Sequence, residues 1–237
     1  MIIGINNKIP TNNFSPAWLP SDESQGLLAW YRNKVGITLE SGTTDVNQWY
    51  DSSGNSYHML QNDTGEQPSY DVDSGGLIFD PSSDTQNLQL QLSGTDTHIE
   101  LDGPFVIGIK MNPDAVSVVV IGSNTQSNEL IKINTGTDIK IENASDSEIY
   151  RLDAGNTKDD TYWVIARDDY DRCALYKGGV EATGGEVPAV TGTFSINAIG
   201  VRATDNNPFD GSIYEIIFFN IHSDELIANV HNRLSGL

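Results

Sequence analysis

Trp49-Tyr50-Asp51-Ser52-Ser53-Gly54-Asn55 and, far downstream, Phe209-Asp210-Gly211-Ser212-Ile213-Tyr214-Glu215 are the two stretches that decide the fold. Each sets an aromatic beside a tight turn, in which Asp, Ser and Asn offer side-chain oxygens to the backbone and Gly supplies a positive φ. A large aromatic on an inward strand position fills a sandwich core about 10 Å thick. Most of these residues are therefore expected to be structural.

Working outward, short β-rich runs recur between Gly, Asn, Asp and Ser clusters, the spacing of a sandwich or barrel. They are Leu27 to Tyr31, Gly76 to Phe79, Phe105 to Met111, Ser117 to Ile121, Glu129 to Asn134, Asp138 to Glu142, Tyr162 to Arg167, Cys173 to Lys177, Phe194 to Val201 and Ser212 to Asn220. Leu88, Leu90 and Leu92 alternate with Gln89 and Gln91, and Ile131 and Ile133 with Lys132 and Asn134, which predicts strands with one wet face. Val118 to Ile121 and Ile216 to Phe219 are continuously apolar, which predicts cover on both faces. One helix is predicted at the C-terminus: Ser223 offers an N-cap oxygen, and Asp224 and Glu225 suit the positive end of the dipole. Leu226, Ile227, Val230 and Leu234 then form one stripe, and Gly236 stands as terminator.

Residues 1–25 stand apart. Pro10, Pro16 and Pro20 among Asn, Ser and Thr disfavour helix and central strand, so this part is expected to be an extended arm ahead of one domain over 26–237. Its apolar tip, Ile2, Ile3 and Ile5, suits either a neighbour's sheet edge or groove, or the surface of its own domain.

The 237 residues carry 33 acidic and 13 basic side chains, a formal net charge of −20. Such a surface repels phosphate backbones and anionic lipid, so neither nucleic acid nor membrane is an expected partner. No run approaches a membrane span. The N-terminus lacks the basic and long apolar regions of a secretory signal, so the expectation is a chain made in a cytoplasm and not exported by that route. Cys173 is the only cysteine, which excludes an intrachain disulfide, and its neighbours Ala174 and Leu175 predict an inert thiol on a buried strand.

The ordered anchors resemble the concanavalin A-like jelly rolls, in particular the laminin-G-like modules. Gly26 to Tyr31 is similar to the first core strand of that family, and Trp49 with Asp51, Ser53, Gly54 and Asn55 to its aromatic and "D-x-S-G-N" turn. Gly76-Leu77-Ile78-Phe79-Asp80 is similar to "L-x-F-D-G", with Pro81 where Gly is usual. Phe105 to Lys110 resembles "F-T-I", and Tyr162 to Ile165 with Leu175 to Gly179 resembles "W-H-V … L-Y-V-N-G". Ile199-Gly200, Phe209 to Glu215 and Ser223 to Leu226 close the series. The resemblance covers nearly all of 26–237 and implies an all-β, two-sheet antiparallel jelly-roll sandwich with one short C-terminal helix. The start, Phe14 to Pro20 followed by Gly26-Leu27, is also similar to jelly-roll structural proteins of marine tailed phages. That likeness implies a virion protein whose arm attaches it to other virion proteins or to copies of itself, with cell-surface glycans as a further class of partner.

Glucanases of the superfamily cleave with carboxylates alternating along one strand. Here Glu100-Leu101-Asp102 is broken by Gly103 and Pro104 and lacks a third acid, so no catalytic residue is assigned and no enzyme is expected. No cofactor is assigned. A structural calcium would suit Asp71-Val72-Asp73-Ser74-Gly75, Asp80 with Asp84, or Asp168-Asp169-Tyr170-Asp171, although each cluster also suits a solvated loop. His58, His98, His222 and His231 make no "H-x-x-x-H" pair, which argues against zinc. Gly184-Gly185 precedes no helix and reads as a turn rather than a phosphate loop. Tyr57, Tyr70, Tyr150 and Tyr170 beside polar loops are of the type that stacks on sugar rings, while ordinary packing is the commoner role of such tyrosines. The competing function is thus a carbohydrate-binding lectin module.

Overall fold

A computed structural model describes residues 18–23, 25–82, 85–90, 98–125, 131–142, 157–158, 161–182, 192–202 and 207–237, and the backbone of 148–153. The stretch 1–17, most of the predicted arm, lies outside the described residues, as do Asp84, Gly184 and Gly185.

Two large antiparallel sheets face each other. The first runs Val180–Glu181, Cys173–Lys177, Thr161–Arg167, Phe105–Pro113, Gly211–Phe219, Leu77–Phe79 and Ser69–Tyr70, with Leu27–Tyr31 also paired to the Gly211–Phe219 strand. The second runs Glu148–Asp153, Asp138–Glu142, Ile131–Ile133, Val118–Gly122, Ala198–Ile199, Leu88–Leu90, Met59–Leu60, Val46–Trp49 and Ile37–Leu39. Neighbours in sequence often lie far apart in the sheets, as when Gly211–Phe219 inserts between Phe105–Pro113 and Leu77–Phe79. The expected two-sheet sandwich with a single C-terminal helix is what these residues form.

Period two explains which side chain goes where. Ile107, Ile109, Trp163, Ile165, Ile216 and Phe218 point between the sheets and meet Trp49, Met59, Leu88, Val120 and Ile199 from the other side. Their neighbours Val106, Val164, Ile217 and Phe219 point outward, where the Asp224–Ser235 helix covers them with Leu226, Ile227, Val230 and Leu234. Both faces of Ile216 to Phe219 are accordingly buried. Each fully buried side chain of this size contributes roughly 1.5–3 kcal/mol of transfer free energy. The helix begins as its sequence requires, with Ser223 Oγ accepting the Leu226 amide at 3.0 Å, and Gly236 caps its end. It lies close because Gly108 has no side chain: a Cβ there would stand 2.4 Å from Val230 Cγ1.

Gly211 makes the entry into the last strand. Its φ of +134° and the 2.3 Å that would separate a Cβ from the Asn112 carbonyl oxygen admit no other residue without strain.

Three local expectations change. Phe194 to Val201 is not one strand: Phe194–Ile196 pairs with Ile99–Leu101 as a separate two-stranded ribbon, and Ala198–Ile199 joins the second sheet, with Asn197 as the crossing point. Lys132 does not face water; it is buried, paired laterally with Val119, because Val119 and the chain near Asn207 close over that edge. Residues 20–22 form a 3₁₀ turn rather than an extended strap, with Pro20 as its first residue and Asp22 Oδ2 accepting the Leu19 amide at 2.8 Å. Just before it, Trp18 packs on Phe219 at a centroid distance of 6.3 Å.

The ribbon is held by Arg167. Fully buried, its guanidinium lies 5.3 Å from the ring centroids of both Phe105 and Phe194, and it donates to the carbonyl oxygens of Gly103 and Gly192.

Candidate functional site

The two deciding stretches are architecture. Asp51 accepts from the Trp30 and Ser53 amides on Oδ1 at 2.9 and 2.8 Å, and from Ser53 Oγ and the Tyr57 amide on Oδ2 at 2.6 and 3.1 Å. Asn55 adds bonds to the carbonyls of Leu27 and Leu28, so the turn laces the first strand to the second sheet. Glu215, fully buried, accepts from Trp30 Nε1 at 2.9 Å, from the Asn33 amide at 3.1 Å and from Arg233. Arg32 and Arg233 each stack 5.0 Å from the Trp30 ring. All four lone-pair directions of each carboxylate are occupied by the fold itself.

A row of hydrogen-bonded amides runs beside the Leu88–Leu90 strand of the second sheet. It starts at Glu66, whose Oε2 accepts from Gln61 Nε2 at 3.0 Å and Asn87 Nδ2 at 3.1 Å. Asn87 Oδ1 accepts from Gln61 and Gln89, both at 3.0 Å, and Gln89 Oε1 accepts from Asn124 Nδ2 at 2.6 Å. Asn197 Oδ1 takes the Asn124 amide at 2.7 Å, and Asn197 Nδ2 stands 3.1 Å from His98 Nε2. His98 in turn bonds Thr125 Oγ1 at 3.0 Å and Ser123 Oγ at 3.3 Å. Beside it on the ribbon, Ser195 Oγ donates to Glu100 at 2.6 Å.

The register places Gln89, and Gln61 and Asn197 reach the row from positions one residue beyond its lateral partners. Gln89 pairs laterally with Leu60 on one side and Ala198 on the other, Ala198 pairs with Gly122, and Glu100 pairs with Ser195. Lateral partners share a face. Asn87, Gln61 and Asn197 form a buried base, while Gln89, Asn124 and His98 are half-buried and Thr125 is exposed. Asn124 Oδ1 and Gln67 Oε1 are buried without a hydrogen-bond partner among the described residues. A buried orphan acceptor costs about 1–3 kcal/mol. Amides offer a donor and an acceptor each, so the row matches hydroxyl groups better than ions. Ser123 and His98 touch, but Ser123 is fully buried and no substrate carbonyl can reach its hydroxyl.

The residues singled out by sequence scatter. Glu100 and Asp102 share the exposed face of their strand end, and Leu101 between them is core. Asp71 closes its own turn, accepting the Asp73 amide and Ser74 Oγ, while Lys34 Nζ donates to the Asp73 carbonyl. The Ser74 hydroxyl is the main cause that holds the Asp71 carboxyl below the usual range. Asp80 bonds the Ser82 amide. It lies with Asp114 near Asp210, whose carboxyl is pushed up by burial and then by those two charges. Asp168 accepts the Tyr170 and Arg172 amides and pairs with the Arg172 guanidinium at 2.6 Å. Among the described residues no three metal-ligating side chains converge. His58 accepts the Asp51 amide on Nδ1. Tyr57 and Tyr70 pack on the core, Tyr170 is 74% exposed beneath Arg172, and the side chain of Tyr150 lies outside the described residues. Cys173 is buried, and that burial pushes its thiol up to about 12.

Sequence reasoning named only Gln89 of the row, as a wet-face residue, and His98, as a histidine without a zinc-binding partner. Its other members come from segments up to 136 positions apart, with no local spacing to betray them.

No family model matches the chain, and no curated protein matches it. Solved structures are similar in fold. The binding domain of Paraclostridial Mosquitocidal Protein 1 is 12% identical with a TM-score of 0.51, over 92% of this chain and 53% of that one. The botulinum neurotoxin serotype D/C VPI 5993 binding domain is 16% identical with a TM-score of 0.55, over 91% and 53%. A mutant of Trypanosoma rangeli sialidase displaying trans-sialidase activity is 9% identical with a TM-score of 0.52, over 88% and 32%. This chain thus spans about half the length of the toxin chains and a third of the sialidase.

Proposed function

We propose that the chain is a non-catalytic binding module that takes a hydroxyl-rich ligand, a cell-surface glycan, along the row from Glu66 to His98. The observation that carries this reading is the unbroken chain of amides, with Asn124 Oδ1 left unpartnered among the described residues. Two of the solved structures similar in fold are named as binding domains, which agrees with such a role. The residues that would make a glucanase do not assemble: Glu100 is engaged by Ser195, and Asp102 stands exposed without a third acid beside it among the described residues.

The module is carried on a larger assembly by its N-terminal arm. The likeness of Phe14 to Leu27 to phage jelly-roll proteins points to a tailed-phage virion, with the sandwich turned to solvent and the arm fixed to other virion proteins or to copies of itself.

A glycan array probed with the full chain tests the ligand: saturable binding to a subset of glycans is expected, and a blank array sinks the reading. Mass spectrometry of purified particles tests the assembly, where persistent absence of the chain would remove the virion.

A further inference from the structure

On the opposite side of the molecule from the amide row, the Asp224–Ser235 helix packs on Val106, Val164, Ile217 and Phe219, outward residues of three inner strands, and the Cys173–Lys177/Val180–Glu181 hairpin forms the edge of the same sheet beyond it. Between helix and hairpin lies a cavity of about 310 Å³. Asp224, Ile227, Ala228 and His231 follow one another at helical spacing and make one wall. Tyr176 and Gly179 make the other, with Glu181 directly across from Tyr176 in the hairpin register. A Cβ on Gly179 would collide with the His231 imidazole, so the hairpin turn closes the trough at that end. At the other end, past Tyr176 and Asp224, it opens into a second cavity of about 240 Å³ that reaches Glu181 and His222.

The two ends differ in chemistry. Asp224 and Glu181 are exposed, and neither carboxylate has a hydrogen-bond or ion-pair partner among the described residues. Burial raises the Tyr176 phenol, and Glu181 and then Asp224 raise it further, which sets both charges close to that ring. Two helical turns from Asp224, about 10 Å away, His231 Nδ1 is buried without a hydrogen-bond partner among the described residues, and Tyr162 lies against the imidazole at a centroid distance of 5.1 Å. Ile227 and Ala228 separate the two polar ends. A bare metal ion does not suit this layout, since no three ligating side chains converge among the described residues. A protonated amine on an apolar chain does: its methylenes leave water along Ile227 and Ala228, and its ammonium gains two carboxylates beside an aromatic ring. The cavity is at the lower end of the roughly 300–1,000 Å³ of small-molecule sites, and a net charge of −20 draws cations to the surface.

We propose that the trough between the C-terminal helix and the Cys173–Glu181 hairpin is a binding site for a small amphiphilic amine about 10 Å long, with its ammonium at Asp224 and Glu181 beside Tyr176, its methylenes along Ile227 and Ala228, and a hydrogen-bonding group at His231 Nδ1. The site shares no residue with the amide row, so neither reading depends on the other.

The probe is ω-amino-octanol, which carries an ammonium and a hydroxyl at opposite ends of an apolar chain, titrated into the full chain and followed by amide shifts in proton–nitrogen NMR spectra. Saturable shifts are expected at Gly179, Ala228 and His231; no shifts there, or shifts spread over the acidic surface without saturation, overturn the proposal. α,ω-Octanediol keeps the length and the far hydroxyl but lacks the charge, and is expected to bind about tenfold more weakly. Equal binding of the two also overturns it. Glu181→Gln and Asp224→Asn are each expected to weaken the amine about threefold to tenfold and to leave the diol unchanged, and no effect of either contradicts the placement of the ammonium. If Asp224→Asn unsettles the helix start, Glu181→Gln, on the exposed hairpin, decides alone.

Discussion

Arg233 forks onto Glu215, Nε to Oε1 at 2.5 Å and Nη2 to Oε2 at 3.0 Å, and so fixes the C-terminal helix to the strand beneath it. Removing one partner of a buried pair leaves the other uncompensated. Arg233→Ala is therefore expected to destabilise the fold by about 3 kcal/mol in a urea titration, and Arg233→Met combined with Glu215→Leu is expected to restore little of that loss, because it leaves Trp30 Nε1 and the Asn33 amide without their acceptor. Should the single variant cost nothing, the pair is not the fastening described.

Asp51 is the second fastening. Asp51→Ala strands three backbone amides, those of Trp30, Ser53 and Tyr57, and frees the Ser53 hydroxyl, with an expected cost of about 2–4 kcal/mol. Asp51→Asn keeps the shape but turns one acceptor into a donor facing donors, and is expected to recover less than half. Denaturant midpoints at constant slope are the measurement.

Binding gives the third prediction. Asn124→Ala and Gln89→Ala are each expected to weaken glycan binding about tenfold while leaving the melting temperature within 2 °C, because both side chains are half-buried. Loss of binding only in variants that also lose stability would locate the ligand elsewhere.

Cys173 gives the fourth. With its thiol pushed up to about 12 by burial, almost no thiolate exists in the folded protein at pH 8. Iodoacetamide is expected to label it only at the rate of unfolding, and rapid labelling of the native protein contradicts the buried placement.

Asp210 sets a pH dependence. Burial first, and then Asp114 and Asp80, raise its folded pKa, so the folded chain holds this proton more tightly than the unfolded one. The resulting stability is full below the ordinary carboxylate pKa and is lost as pH rises through the raised value. Asp210→Asn should raise the melting temperature at pH 7 by roughly 1–2 °C, small because the site is largely solvated, and the difference should vanish near pH 3.

The sandwich was legible because its demands are local. Trp49, Asp51 and Glu215 sit in turns and strands whose neighbours advertise them, and Ser223 with its two acids names a helix start. The amide row was not, because register and sheet order unite Gln61, Asn87, Asn124 and Asn197 across segments with no common periodicity. Lys132 misled for a related reason: alternation reports which face a side chain takes, not what later covers that face. Asn197 hides the break in its strand, since Phe194 to Val201 keeps a β-like composition across the crossing point.

Arg167 has a consequence for force. The ribbon beside His98 and Asn197 is packed into the core through Ile99, Leu101, Phe194 and Ile196 and is tied there by one permanently charged side chain wedged between two benzyl groups and two peptide oxygens. A load applied there would run along that ribbon into Arg167 and then into the Thr161–Arg167 strand, which is paired over its whole length with Phe105–Pro113 and from Trp163 to Arg167 with Cys173–Lys177. A surface anchored in this way resists shear by peptide hydrogen bonds strained together rather than one after another.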